Sequence, residues 1–175
     1  MKIELKHFKH YERLSEETEC FTANLYINGI KCATTENRGI GGSTDYCPEF
    51  SQTCRDLVKQ AEQYCSSLPP DSFEYKGEIT YIAMSLEYYI DSLANDLIKA
   101  KYALKDAQKL RKNMEKAILI GNDETYTKIG FKFPLKVIIN AHPDYFKKVL
   151  KEKLKKYAIN GNRLLNTNIP ETFIN

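Results

Sequence analysis

Apolar and polar residues alternate through Phe21-Thr22-Ala23-Asn24-Leu25-Tyr26-Ile27, pause at Asn28-Gly29 and resume from Ile30 to Glu36. A period of two marks a strand with one buried face. Asn-Gly between two such runs is the strongest short-range signal for a two-residue turn whose central residues both take positive φ. With that turn fixed, Ile27 is expected to face Ile30, Leu25 to face Cys32, Ala23 to face Thr34 and Phe21 to face Glu36. One face is then mostly apolar. The other carries Thr22, Asn24, Tyr26, Lys31, Ala33 and Thr35, and a one-residue slip would exchange the two. Ile3, Leu5, Phe8, Tyr11 and Leu14 read as a third strand ahead of the acidic turn from Ser15 to Glu19. A three-stranded meander is expected, because an isolated hairpin is marginal in water.

The period changes after Tyr46. From Pro48 to Cys65, Phe50, Cys54, Leu57, Val58, Ala61, Tyr64 and Cys65 recur on one helical stripe, with Pro48 suited to the first helical position and Glu49 to the positive end of the helix dipole. Ser66 to Pro70 breaks that helix, and a short polar stretch runs to Gly77. From Ile79 to about Lys116, apolar residues recur at helical spacing with neither Gly nor Pro, which predicts one long helix or two joined by a bend near Lys99. Ala117 to Phe133 returns to strand character around the turn material at 121–124, so a second hairpin is expected over 117–133. Pro134 ends it and a short apolar run from Leu135 to Ile139 follows. His142-Pro143-Asp144 opens a last helix over 142–158 with Phe146, Val149, Leu150, Leu154 and Tyr157 on its inner face, closed by Asn160-Gly161. The tail over 162–175 reads as extended along the surface. The fold class is α+β in a single domain: meander and loop over 1–46, a helical region over 47–116, then the hairpin, helix and tail.

Composition narrows the class. A hydrophobic share of 42% and a charged share of 28% over 175 residues are those of a globular domain rather than a disordered chain. No run of about 18 apolar residues exists, and the first 14 residues carry charges where a signal peptide needs its apolar core, so the expected setting is the cytoplasm without membrane insertion. Five cysteines, Cys20, Cys32, Cys47, Cys54 and Cys65, are odd in number and lack CxxC spacing, which disfavours zinc and disulfides. Charge is uneven: residues 1–98 carry 9 basic and 16 acidic side chains, net −7, and residues 99–175 carry 17 and 7, net +10.

Between the meander and the first helix lies Glu36-Asn37-Arg38-Gly39-Ile40-Gly41-Gly42-Ser43-Thr44-Asp45-Tyr46. Its glycines would let consecutive N–H groups point at an anion, and Arg38 would add a charged fork. Asn37, Arg38, Gly39, Gly41, Gly42, Ser43, Thr44 and Asp45 are therefore ligand-binding candidates, with a phosphate-bearing small molecule or a protein as partner. The alternative is a connection that crosses the sheet edge, with Ser43, Thr44 and Asp45 forming turns or capping a helix. No P-loop lysine or dinucleotide fingerprint accompanies the loop. Lysines at 99–116 and 147–156 supply polyanion-contact candidates in Lys105, Lys109, Arg111, Lys112, Lys151 and Lys155, which would bind nucleic acid without sequence specificity. His7, His10 and His142 form no metal or acid/base motif. His7 and His10 fall on opposite faces of a strand, and His142 is expected to cap a helix. No catalytic residue, metal or cofactor is assigned. Tyr81, Tyr88, Tyr89 and Tyr102 line a core or an interface, which makes a homodimer an expectation.

The segment LSEETECFTANLYINGIKCATTENRGIGGSTDY resembles small uncharacterised phage and bacterial proteins that share an acidic turn, an FTA-type strand, an NG hairpin and a Gly-Gly polar loop. The resemblance covers about the first 46 residues and brings no activity with it. It implies an accessory protein, a phage factor acting on a host component. A non-enzymatic binding protein is the reading favoured, with a nucleic-acid-associated protein as the alternative. An enzyme at Arg38–Tyr46 has neither base nor nucleophile to support it.

Overall fold

A computed structural model describes residues 1–122 and 124–174 as an α+β chain whose contacts gather into two compact units, Met1–Lys101 and Tyr102–Asn175. The first unit opens with an antiparallel sheet in the order β1 (Ile3–His10), β2 (Phe21–Ile27), β3 (Ile30–Asn37) and β4 (Asp45–Pro48). Asn28 and Gly29 take φ of 50° and 85°, the primed turn that the sequence predicts. Next to the turn Ile27 pairs with Ile30 as expected, but the register then shifts: Leu25 pairs with Ala33, Ala23 with Thr35 and Phe21 with Asn37. An extra residue, Cys32, is accommodated in a β-bulge, and Cys32 and Ala33 are both fully buried.

The bulge exchanges the faces of the rest of β3. Ala33 and Thr35, assigned outward by strict alternation, point inward with Asn37, and Thr34 and Glu36 are exposed. Phe21, Leu25 and Ile27 remain on the inner face at no more than 1% exposure. Each removes enough apolar surface from water to contribute about 1.5–3 kcal/mol. They pack on Cys54, Val58, Ala61 and Cys65 of α1 (Gln52–Ser66) and on Leu86, Ile90 and Ala94. The helix expected from Pro48 starts later: Pro48 ends β4, Ser51 caps α1 by accepting from the Cys54 N–H at 3.3 Å, and Phe50 is 94% exposed. All five thiols are free, and burial beside Cys54 pushes the Cys32 thiol up to about 11.

After α1 the chain forms a second hairpin, β5 (Asp71–Tyr75) and β6 (Glu78–Ile82), where the sequence reading placed a polar stretch and a helix beginning at Ile79. Its turn is Lys76-Gly77, at φ of 54° and 83°. The long helix, α2 (Leu86–Met114), is unbroken at Lys99. It begins in the first unit, where Tyr88 donates a 2.7 Å hydrogen bond to Asp71 at the base of the hairpin, and ends in the second.

The second unit centres on β7 (Ala117–Gly121), paired on one side with β8 (Tyr126–Gly130) and on the other with β9 (Arg163–Leu164). Every residue of β7 is buried, as a continuous apolar run between two layers requires. Ile118 and Ile120 meet Leu135 and Ile138 of α3 (Leu135–Ala141) and Phe146 and Leu150 of α4 (Pro143–Tyr157), while Leu119 joins Met114 on the other side. His142 stands at the start of α4 without a side-chain cap. The tail is more than a surface strand: Asn166 is buried, accepts from the Leu119 N–H at 2.6 Å and donates to the Ala117 carbonyl at 2.9 Å. Asp123, within the turn expected at 121–124, lies outside the described residues.

Candidate functional site

The Gly-rich loop inherits its geometry from the bulge. Because β3 has changed faces, Asn37 ends the strand pointing inward, and Thr44 returns to meet it at 1% exposure. The Asn37 amide donates to Thr44 Oγ1 at 3.0 Å, and the Thr44 hydroxyl donates in turn to the Asp91 carboxylate on α2. Asn37 Oδ1 accepts from Thr18 Oγ1 at 2.7 Å and from the Gly39 N–H at 2.9 Å. The amide is thus satisfied within the chain. Burial first, and then the neighbouring Glu87, hold the Asp91 carboxyl above the usual carboxylate range against the opposing Thr44 hydrogen bond.

Gly39 fixes the other end. Its carbonyl accepts from the N–H groups of Glu16, Glu17 and Thr18 at 2.8, 2.9 and 3.3 Å. A convergent set of backbone donors therefore exists here, but the acidic turn supplies it and the loop's own carbonyl fills it. At φ of 83°, a Cβ on Gly39 would lie 2.2 Å from the Leu14 carbonyl oxygen, so only glycine fits. Gly41 lies against Glu17, while Arg38, Gly42, Ser43 and Asp45 are exposed. A cleft of about 450 Å³ beside the loop is lined by Glu16, Glu17, Glu19, Asn37 and Asp91 among others. Its carboxylates repel phosphate.

A larger concavity, about 570 Å³, lies on the outward face of the sheet and is lined from all four strands. Strand pairing sets Lys9, Thr22, Glu36 and Asp45 in one row across the sheet, and Asn24, Thr34 and Cys47 in the next. Neighbouring strands are about 4.8 Å apart, so the row from Lys9 to Asp45 spans about 14 Å, cationic at one end and anionic at the other. His7 joins this groove from a second bulge, between Lys6 and Lys9 of β1, where its backbone takes φ of 54°. Left-handed backbone at a non-glycine residue is uncommon, and a bulge re-aims side chains. The strand's other histidine, His10, is turned inward, with Nε2 2.7 Å from Glu19 Oε2.

The groove takes one of the eight loop candidates, Asp45; the acidic cleft takes Asn37. Lys105, Lys109, Arg111 and Lys112 are all exposed on α2, and Lys151 and Lys155 on α4. Lys105, Lys109 and Lys112 share one stripe by helical spacing, as do Lys148, Lys151 and Lys155. Glu152 offsets little of the charge on α4: it lies 2.7 Å from Lys153, whose hydrogen bond and charge hold its carboxyl below the ordinary range. Sequence reasoning names none of His7, Lys9, Thr34 and Cys47 as a site residue. The alternation that exposed Thr22 and Asn24 pointed to this face, but the two bulges decide which neighbours join them. Among the described residues no helix is long and apolar enough to cross a membrane, and no group of three or more His, Cys, Asp or Glu could hold a metal. No protein-family model matches this chain, and comparison with curated proteins and with solved structures gives no match.

Proposed function

We propose that this chain is a non-enzymatic binding protein that takes a polar segment of a partner protein into the groove on the outer face of its first sheet. One observation carries the reading: polar side chains from all four strands line a single concavity, into which a bulge turns His7. The volume lies in the range of binding clefts, and the lining offers donors, acceptors and both charge signs. That mixture suits a peptide, with its own donors and acceptors, better than a phosphate. A phosphate drawn to His7 and Lys9 would share the groove with Glu36 and Asp45. The accessory role implied by the N-terminal resemblance fits such a binder.

Peptides selected on the full chain from a random displayed library test this directly. Thr34→Arg fills the groove from an exposed position and should weaken the selected peptides tenfold or more, while Arg38→Ala leaves them unchanged. Equal binding to both variants would overturn the proposal. Competition by inorganic phosphate would restore the phosphate reading. Binding that collapses with salt and with Lys151→Glu/Lys155→Glu would transfer the function to the basic stripes.

A further inference from the structure

The hairpin of β5 and β6 stands apart from the rest of the first unit in what it exposes. Every residue from Asp71 to Tyr81 is solvent-exposed, including Phe73 at 46%, Tyr75 at 59%, Ile79 at 65% and Tyr81 at 67%. The two strands form a sheet of their own, so each has an edge without a neighbouring strand among the described residues. A two-stranded ribbon with four exposed large apolar side chains is the least self-sufficient kind of sheet.

The two edges differ in chemistry. Across a two-residue turn, Tyr75 and Glu78 form the first hydrogen-bonded pair, and bonded and non-bonded pairs then alternate away from it. The backbone groups of Ser72 and Glu74 therefore face outward along β5, and those of Ile79 and Tyr81 along β6. The β5 edge is guarded by Asp71 and Glu74, the kind of charge that blunts strand pairing. Along β6, Ile79-Thr80-Tyr81-Ile82 is an uninterrupted β-forming run with no charge.

This run is complementary to itself. If two copies of β6 pair antiparallel about a two-fold axis through Thr80, the outward N–H and C=O groups of Ile79 meet those of Tyr81 in the other copy, and the reverse, closing four hydrogen bonds. Ile79 and Tyr81 then become cross-strand neighbours twice over, a β-branched and aromatic pair on one face of the sheet. Glu78 falls opposite Ile82, so no like charges meet. A β5 pairing in the same manner would set Ser72 against Glu74 and Asp71 against Tyr75, leaving Phe73 against its own copy as the one apolar contact between carboxylate-bearing flanks.

We propose that β6 is a homodimerisation edge, joining two hairpins into a continuous four-stranded sheet in the order β5-β6-β6-β5. The partner is a second copy of this chain. Such a contact is isologous, as a two-fold dimer requires. It is also small, so the dimer forms and dissociates with concentration rather than persisting as an obligate pair.

Light scattering coupled to size exclusion, on the full chain across a concentration series, should show mass rising from monomer towards dimer. Ile79→Lys/Tyr81→Lys places lysine against lysine across the axis and should raise the dissociation constant tenfold or more. Both positions are exposed, and circular dichroism checks that the fold survives. Ile79→Lys/Tyr81→Glu places lysine against glutamate in the same register and should recover dimerisation, an outcome that unspecific association of apolar side chains would not give. A monomer mass at every concentration, or no recovery in the lysine–glutamate variant, would overturn the proposal.

Discussion

Two hairpins in the first unit are built on the same turn. Asn28-Gly29 joins β2 to β3 and Lys76-Gly77 joins β5 to β6, and all four turn residues take positive φ. There the likeness ends. The first hairpin has a strand on either side and buries Phe21, Leu25, Ile27, Cys32 and Ala33; the second has no flanking strand among the described residues and exposes an apolar residue at every other position of both strands. Turn chemistry thus sets that a hairpin forms and which residues pair beside the turn, but not what the hairpin is for. That depends on whether its apolar side chains have a core to enter. In β2–β3 they hold the unit together and leave a polar groove outside, whereas in β5–β6 they remain available to another chain.

The largest expected effect separates the two directly. Leu25→Ala removes a side chain at 0% exposure from the core and should cost about 2–5 kcal/mol in urea unfolding. The corresponding Ile79→Ala, measured in the dilute monomer, should change stability by no more than about 0.5 kcal/mol. A comparable loss at both positions would erase the distinction.

A smaller effect concerns the network that fastens the end of β3. The folded chain holds the Asp91 proton more tightly than the unfolded chain does, because burial and Glu87 raise its pKa. Ionised Asp91 therefore subtracts stability above its folded pKa, and the loss fades as pH falls to the unfolded value of about 3.9. Asp91→Asn keeps an acceptor for the Thr44 hydroxyl. The variant should be the more stable protein at pH 7, and its advantage should shrink as unfolding is measured at successively lower pH. A loss of stability at neutral pH would show that Thr44 and Asn37 need the charge itself.

Much of this architecture can be read from the chain, and the exceptions share a cause. Asn28-Gly29, the amphipathic stripe of α1, the C-terminal extent of α2 and the inner face of α4 follow from local periodicity, which burial on one face enforces. The bulges at Cys32 and His7 do not follow from it: a bulge needs only one residue more than strict alternation allows, and no residue type announces it. Yet these bulges turn Thr35 and Asn37 inward and bring His7 to the groove, so the candidate site is less legible than the fold. The β5–β6 hairpin was legible in principle, since Phe73, Tyr75, Ile79 and Tyr81 alternate around Lys76-Gly77. Its second strand, however, runs into the helical spacing of α2, which a longer periodic signal claimed. Asn166 was hidden differently, because its partners on β7 are more than 40 residues distant.

Native-state hydrogen exchange at low and high protein concentration tests the contrast between the hairpins most directly. Amides of β2 and β3 such as Leu25 and Thr35 should exchange only through global unfolding at both concentrations, while Ile79 and Tyr81, whose N–H groups lie on the free edge of β6, should exchange fast when dilute and gain protection on concentration. Rates at Ile79 and Tyr81 that do not change with concentration, or protection in β5–β6 equal to that of β2–β3 in the dilute monomer, would contradict it.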